Sequence, residues 1–375
     1  MRLGDVVEFQ NGYAFKSNSF ISNGDHKIVK IKEIKSGNVI FFPDSASINT
    51  NVDFEKYEIH YDDIVFALTG DPVSKPNPRS WVGRVARYNR KEPAYINQRV
   101  CIMRPKNNNI VNPLYVYYYF RQFSAFYKLA SLAKGSASQA NISTKDIENF
   151  NIVFPPIEKQ TTIVSILNSI EQKISINALI NKNLAQLAQA IYADIFITNA
   201  DPAWPIGHLS DLITVRYGKD HKKLDNGPFP VYGSGGVMRY VERPIYEKES
   251  VLIPRKGTLN NVMYVNEPFW SVDTMFYTEM KLPDVAKFIY HFVKSKDLAS
   301  LNAGSAVPSM TTDILNAMEL YIPDAETLKR FESIVGPMYR AMQHNTEESK
   351  KLAAVRDSLL PRLMSGELDV SGLDL

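Results

Sequence analysis

Residues 135–160 read GSASQANISTKDIENFNIVFPPIEKQ, and residues 304–327 read GSAVPSMTTDILNAMELYIPDAET. These two stretches decide the fold, because they carry the same landmarks in the same order. Gly-Ser-Ala opens both; Ser143-Thr144-Lys145-Asp146-Ile147 is answered by Thr311-Thr312-Asp313-Ile314, and Pro156 by Pro323. Asp146 and Asp313 stand 167 residues apart, as do Pro156 and Pro323. Upstream, Leu3-Gly4-Asp5-Val6 resembles Leu209-Ser210-Asp211-Leu212 at an offset of 206. Asp63-Ile64-Val65-Phe66 followed by Gly70 resembles Ser250-Val251-Leu252-Ile253 followed by Gly257 at an offset of 187. The offset shrinks because the second copy has lost loops. Ordered matches of this kind indicate a duplicated plan, and a repeat governs the whole architecture.

Each copy ends in a long segment of different character. From Ile157 to about Phe196 there is no Gly or Pro, and Ile163, Ile166, Leu167, Ile170, Ile174, Ile180, Leu184, Leu187 and Ile191 recur at helical spacing. The 163-170-177-184-191 column is a heptad with one polar member, Asn177, a residue that fixes register or orientation at such a position. A helix of this length measures about 60 Å. The second runs from about Ala325 to Met364, and Gly336-Pro337 predicts a kink in it. Mutual antiparallel packing is the expected way to bury both stripes. Ahead of each helix come short strand-like runs: Lys27–Ile31, Asp63–Ala67, Val100–Met103, Val251–Ile253 and Met263–Val265. Asn112-Pro113-Leu114 opens a short aromatic helix with Asn as N-cap.

The expected fold is α+β: two tandem α/β globules separated by two long antiparallel coiled-coil-like helices, a pseudo-two-fold repeat. The boundaries are 1–154 for the first globule, 155–200 for the central helix, 201–323 for the second globule, and 324–375 for the C-terminal helix and tail.

Composition excludes several classes. The chain has 375 residues, 45% hydrophobic and 22% charged, ordinary for a globular protein. One cysteine, Cys101, leaves no intrachain disulfide and no cysteine zinc site. No stretch reaches about 18 apolar residues, and the first residues lack a signal-peptide run, so a cytoplasmic location is expected. There is no P-loop, no G-x-G-x-x-G and no metal-spaced His pair; Gly233-Ser234-Gly235-Gly236 is not a nucleophile elbow. Asn112-Pro113-Leu114-Tyr115 and Phe154-Pro155-Pro156-Ile157 each miss one element of the amino-methyltransferase motif. No catalytic constellation is visible, and no cofactor is expected in this chain.

The net charge of +3 is uneven, with 20 Lys/Arg and 14 Asp/Glu in residues 1–154 and near balance elsewhere. Cations concentrate in turn-rich aromatic segments, as phosphate contact requires. Lys75, Arg79, Trp81 and Arg84 share one loop, with Lys219, Lys222 and Lys223 in its counterpart zone. Tyr232, Ser234 and Gly235 form a run whose glycines admit backbone N–H groups close to phosphate oxygens. Gln98, Arg99, Arg255 and Lys256 suit base edges or phosphates, and Ser136 adds a hydroxyl in the repeated Gly-Ser segment. These fifteen residues are the candidate DNA contacts; no metal ligands are expected.

Gly227–Gly236 (GPFPVYGSGG), Arg255-Lys256-Gly257 and Pro268–Thr274 (PFWSVDT) resemble the target-recognition domain of type I restriction-modification specificity subunits. Leu359–Leu368 (LLPRLMSGEL) resembles the end of that family's last helix, and Pro155-Pro156-Ile157-Glu158-Lys159-Gln160 the start of its first. The resemblance spans essentially the whole chain. It implies a non-catalytic reader of double-stranded DNA, in which each globule recognises half of a split asymmetric site. It further implies two methyltransferase subunits using S-adenosylmethionine, and restriction-translocase subunits using ATP and magnesium. The competing reading is a coiled-coil scaffold that binds proteins through its globules.

Overall fold

The computed structural model describes residues 1–49, 54–74, 81–136, 139–301 and 309–372. The chain divides into two compact units, residues 1–175 with 349–375, and residues 176–348. Each unit takes one half of each long helix.

The first unit is built on the strand Val100–Pro105, antiparallel to Val7–Asn11 on one side and to Ile64–Ala67 on the other. Ile64–Ala67 and Val100–Met103 are buried on both faces, which accounts for their unbroken apolar runs. The second unit repeats the arrangement: Met275–Met280 lies between Ile213–Tyr217 and Ser250–Pro254, all antiparallel. A parallel pair recurs as well, His26–Val29 with Ala94–Ile96 and Phe229–Gly233 with Trp270–Ser271. Helices of nine residues, Pro113–Arg121 and Ala286–Lys294, follow the central strand of each sheet. Asn112 caps the first of them as the sequence predicts, its side-chain oxygen accepting the Leu114 N–H at 3.0 Å.

Both four-residue helices that open the copies, Leu3–Val6 and Leu209–Leu212, sit where the repeat places them. Their offset of 206 runs on to Gly12 and Gly218, whose N–H groups donate to Val100 and Met275 carbonyls, each at 3.0 Å. A Cβ at Gly12 would lie 2.3 Å from the Asn97 carbonyl oxygen, and one at Gly218 2.0 Å from that of Val272. Gly218→Ala and Gly12→Ala should each destabilise their own unit by about 1–3 kcal/mol. Urea melts of the two variants check this, and wild-type midpoints would refute it.

Downstream, the register differs by one residue from the sequence match. Ser143 and Thr311 are the N-caps of Thr144–Glu148 and Thr312–Asn316, accepting the N–H of Asp146 at 3.1 Å and of Ile314 at 3.3 Å. The buried partners are Ile147 and Leu315. The structural offset is therefore 168, which pairs Pro323 with Pro155 and separates Asp146 from Asp313. Capping and burial fix the register, whereas two surface aspartates one position out of step do not.

The long helices span Ile157–Ala193, continued by a π-helical turn at Asp194–Thr198, and Ala325–Met364. The second is a single helix through Gly336-Pro337. Pro337 lies on the exposed side, while Phe331 and Val335 are fully buried. Within each unit the two helical halves run antiparallel. In the first, Ile163 and Leu167 share a core with Leu360 and Leu363, and Glu171 meets Arg356 at 3.5 Å. In the second, Ala188 and Tyr192 share a core with Phe331 and Val335. Asn177 donates to Glu348 Oε2 at 2.7 Å, and Asn181 to the Met342 carbonyl at 3.0 Å. The polar layer thus has two asparagines from the central helix where the heptad column showed one.

Not all of the apolar stripe is inward. Ile180 and Leu187 of that stripe are 40% and 49% exposed, and Ile176 and Leu179 beside them are 51% and 57% exposed. Leu167, Ala188 and Ile195 are buried and Asn181 bonds to the Met342 carbonyl, so a second column, in which Asn181 and Ala188 dilute the apolar signal, is inward as well as that of Asn177.

Candidate functional site

In each unit the long helices dock at one end of the sheet. Arg87, paired with the first residue of Ile64–Ala67, donates to Asn168 Oδ1 at 2.7 Å. Glu249, immediately before Ser250–Pro254, accepts from Lys287 Nζ at 2.7 Å, and the same ammonium reaches Glu332 at 2.9 Å. The opposite end of each sheet is where polar and cationic loops gather.

In the second unit that end joins four segments. Gly218 lets the chain after Ile213–Tyr217 close onto Ser271, whose carbonyl accepts the Lys219 N–H at 2.8 Å. The Lys219 carbonyl in turn accepts the Trp270 indole N–H at 2.9 Å, so the Lys219 backbone is fixed while its side chain is exposed. Arg255 lies over the Tyr217 ring at 5.3 Å and donates to the Asp273 carbonyl at 3.3 Å. Lys256 is exposed and its backbone bridges Ser309. Gly257 has φ +85°, and a Cβ there would come 2.7 Å from Ser234 Oγ, so the two glycine-bearing loops touch. Asn261 secures the hairpin by donating to the Ser234 carbonyl at 2.7 Å. Gly235 and Gly236 face open space, Gly236 at φ +110°.

Lys222 and Lys223 are exposed on the following turn, where the Lys222 N–H donates to Asp220 at 3.1 Å. Tyr232 is half-buried and its hydroxyl donates to Glu267 at 2.9 Å; burial, then the Glu267 carboxylate, hold its pKa above the usual tyrosine value. Arg216 pairs with Glu279 at 3.1 Å. The structure thus brings Lys219, Ser234, Gly235, Arg255 and Lys256 to one sheet end, with Asp273 among them.

The equivalent end of the first unit follows from backbone bonds. The N–H of Tyr13 donates to the Ile96 carbonyl as that of Lys219 does to Ser271, and Leu68 to Arg99 as Arg255 does to Thr274. Gln10–Tyr13 therefore corresponds to Arg216–Lys219, and the loop bearing Trp81 and Arg84 does not. Leu68-Thr69-Gly70 corresponds to Arg255-Lys256-Gly257, Gln98-Arg99 to Asp273-Thr274, and Asn141 to Ser309. Gln98 and Arg99 are exposed. Arg99 Nη1 donates to Asn141 Oδ1 at 3.3 Å, and Thr69 Oγ1 donates to the same oxygen at 2.8 Å. Thr69 and Asn141 are not among the fifteen candidates from the sequence; extending the late repeat upstream at the structural offset reaches Asn141.

Trp81 stacks on Phe126 at 5.6 Å and packs against the first core. Arg84 donates to the Ile31 carbonyl at 2.8 Å and the Trp81 carbonyl at 3.2 Å, and burial lowers its pKa. Both side chains are committed to the domain's own packing. Lys75, Arg79 and the side chain of Ser136 lie outside the described residues. Among the described residues, no three His, Cys, Asp or Glu side chains cluster as a metal site, and no helix is long and apolar enough to cross a membrane.

The type I restriction modification DNA specificity domain matches residues 1–186 and again 203–353. The chain is 22% identical over 326 residues to the type I restriction enzyme MjaIX specificity subunit of Methanocaldococcus jannaschii, covering 76% of this chain and 75% of that protein. It is 33% identical over 92 residues, 24% of this chain and 18% of the relative, to the HindI specificity subunit of Haemophilus influenzae. Its fold is similar to the crystal structure of the type I restriction-modification S subunit from M. genitalium, with TM-score 0.64, 18% identity and coverage of 97% and 95% of the two chains. Two matches to one domain, together covering most of the chain and each running into a long helix, make the chain a member of the type I restriction-modification DNA specificity family.

Proposed function

We propose that the chain is the DNA-reading subunit of a cytoplasmic type I complex, with each unit reading one part of a bipartite asymmetric site. One observation carries this: equivalent sheet ends, facing away from the long helices, present different side-chain sets on the same backbone frame. The first offers Gln98, Arg99, Thr69 and Asn141; the second offers Lys219, Arg255 and Asp273, with Lys256 beside them as a phosphate contact. A shared frame with changed side chains is what two different half-sites demand, because phosphate contacts position a protein while base contacts specify the sequence. Lys222, Lys223, Ser234 and Gly235 are assigned to the phosphates flanking the second half-site.

The chain performs no catalysis of its own in this reading and binds no cofactor. Methyl transfer falls to two methyltransferase subunits with S-adenosylmethionine, and translocation and cleavage to restriction subunits with ATP and magnesium. The exposed stripe Ile176, Leu179, Ile180 and Leu187 supports protein partners along the central helix. In this reading residues 1–154 and 201–323 are the reading globules, and the two helices join them to those partners.

Mapping methylated sites with the assembled complex tests the reading. Two short specified half-sites separated by unspecified base pairs are expected; one uninterrupted site, or no sequence preference, would overturn it. Lys256→Ala should weaken DNA binding of the complex uniformly across sequences and lower the slope of log affinity against log salt by about one. Unchanged affinity at moderate salt would remove Lys256 from the interface.

A further inference from the structure

We propose that the first unit reads a guanine through Arg99, with Asn141 and Thr69 as the residues that hold its guanidinium in place. The inference rests on the DNA-reading role above and names the base that one half-site must contain.

The hydrogen bonds fix the chemistry of the cluster. Arginine has donors only, so the Asn141 atom 3.3 Å from Arg99 Nη1 is the amide oxygen. Thr69 Oγ1, fully buried, donates to that same oxygen at 2.8 Å. With its oxygen engaged twice, Asn141 is oriented with its NH2 turned away, and that group adds donors at an exposed position. Arg99 spends one N–H on Asn141 and keeps the rest of its fork free among the described residues. The pair Arg99 and Asn141 therefore presents donors and no acceptor.

In the major groove, guanine offers two adjacent acceptors, N7 and O6, whereas adenine places an N6 amino donor beside N7 and cytosine offers an N4 donor. A donor-only pair meets both guanine acceptors and opposes the amino group of adenine or cytosine. Thymine supplies only O4 and sets its methyl group against the fork. The second unit presents a different set on the same frame: Thr274 and Ser309 replace Arg99 and Asn141, Arg255 and Lys256 replace Leu68 and Thr69, and Asp273 replaces Gln98 with an exposed carboxylate acceptor.

The cluster also lies where a reader is needed. Arg99 directly precedes Val100–Pro105, and Asn141 pairs with Thr69 just beyond Ile64–Ala67, at the sheet end remote from Asn168 and the central helix. Thr69 and Asn141 are held by that backbone pairing, so the guanidinium rests on an ordered support.

The test uses the assembled methyltransferase complex, with methylated-site mapping and competition binding to duplexes altered one base pair at a time. Wild type should show one guanine in one half-site whose replacement costs about 10- to 100-fold in affinity. Arg99→Ala and Arg99→Lys should reduce that discrimination to under about threefold and make the position degenerate, with the other half-site and the spacer unchanged; lysine keeps the charge but loses the fork. Asn141→Ala should relax the same position less severely.

Retention of the wild-type motif by Arg99→Ala would overturn the assignment. So would a uniform loss of affinity with a salt slope smaller by about one, since that marks a phosphate contact. If wild type itself yields no bipartite motif, the DNA-reading proposal fails instead, and the two failures are told apart by the unmutated complex alone.

Discussion

Lys287→Ala should destabilise the second unit by about 3 kcal/mol, the largest loss expected from any single side chain outside the apolar cores. The Lys287 side chain is 5% exposed, and its ammonium lies 2.7 Å from Glu249 and 2.9 Å from Glu332. It also sits 5.1 Å from the centre of the Tyr264 ring and 5.6 Å from that of Tyr339. Desolvating an ammonium is costly, and two carboxylates with two aromatic faces compensate it. Removing the lysine leaves both carboxylates with like charge and no counterion. Burial already pushes the Glu332 pKa above the usual glutamate value, and Lys287 pulls against that shift. Denaturation followed by tryptophan fluorescence, with Trp204 and Trp270 in this unit, measures the loss. Adding Glu332→Gln should recover part of it. A single-variant loss below about 1 kcal/mol would mean that the cluster is no more than a surface pair.

The second large effect is on pH. His291 is 2% exposed, bonded through Nδ1 to Gln189 Oε1 at 2.8 Å and through Nε2 to the Tyr339 hydroxyl at 2.9 Å. Since Gln189 presents an oxygen, Nδ1 carries the proton and Nε2 accepts from tyrosine, the neutral tautomer. Burial, then the nearby Lys294 charge, lower its pKa from 6.5 to about 4. The unfolded chain therefore binds a proton that the folded one refuses. The contribution is fully present above about pH 6.5 and declines as pH falls toward 4, by about 3 kcal/mol in total. Glu332, its pKa raised by burial, acts in the opposite sense, so the informative comparison is with His291→Gln. That variant should lose less stability between pH 7 and pH 4.5 than wild type does. Equal pH slopes would show that His291 does not govern the acid limb.

The repeat shows how much of the fold was legible in advance. Leu3–Val6 and Leu209–Leu212, the strand cores at Ile64 and Val251, and both long helices are where the pattern placed them, because each depends on local periodicity and capping. The late register came out one residue off, since Asp146 and Asp313 are surface identities, whereas Ser143, Thr311, Ile147 and Leu315 are the positions that structure constrains. Gly336-Pro337 does not end the second long helix, which runs from Ala325 to Met364, since a proline removes one backbone bond while the turns around it keep theirs. The candidate site was legible as residue types but not as a set. Trp81 packs on Phe126 and Arg84 donates to main-chain carbonyls, internal contacts that residue type alone does not reveal, while Thr69 and Asn141 are too ordinary to single out.

The sequence by itself determined the duplicated plan, the family and the two helices, all of which rest on order and spacing along the chain. Only the tertiary structure decided which loops share a sheet end, because that depends on strand pairings between residues far apart, such as Thr69 with Asn141 and Arg255 with Thr274. Only it showed that Asn181 joins Asn177 in the helix pair and that Lys287 and His291 lie within a packed interior. Burial and hydrogen-bond partnership are properties of the neighbours a residue acquires on folding, and composition does not name those neighbours.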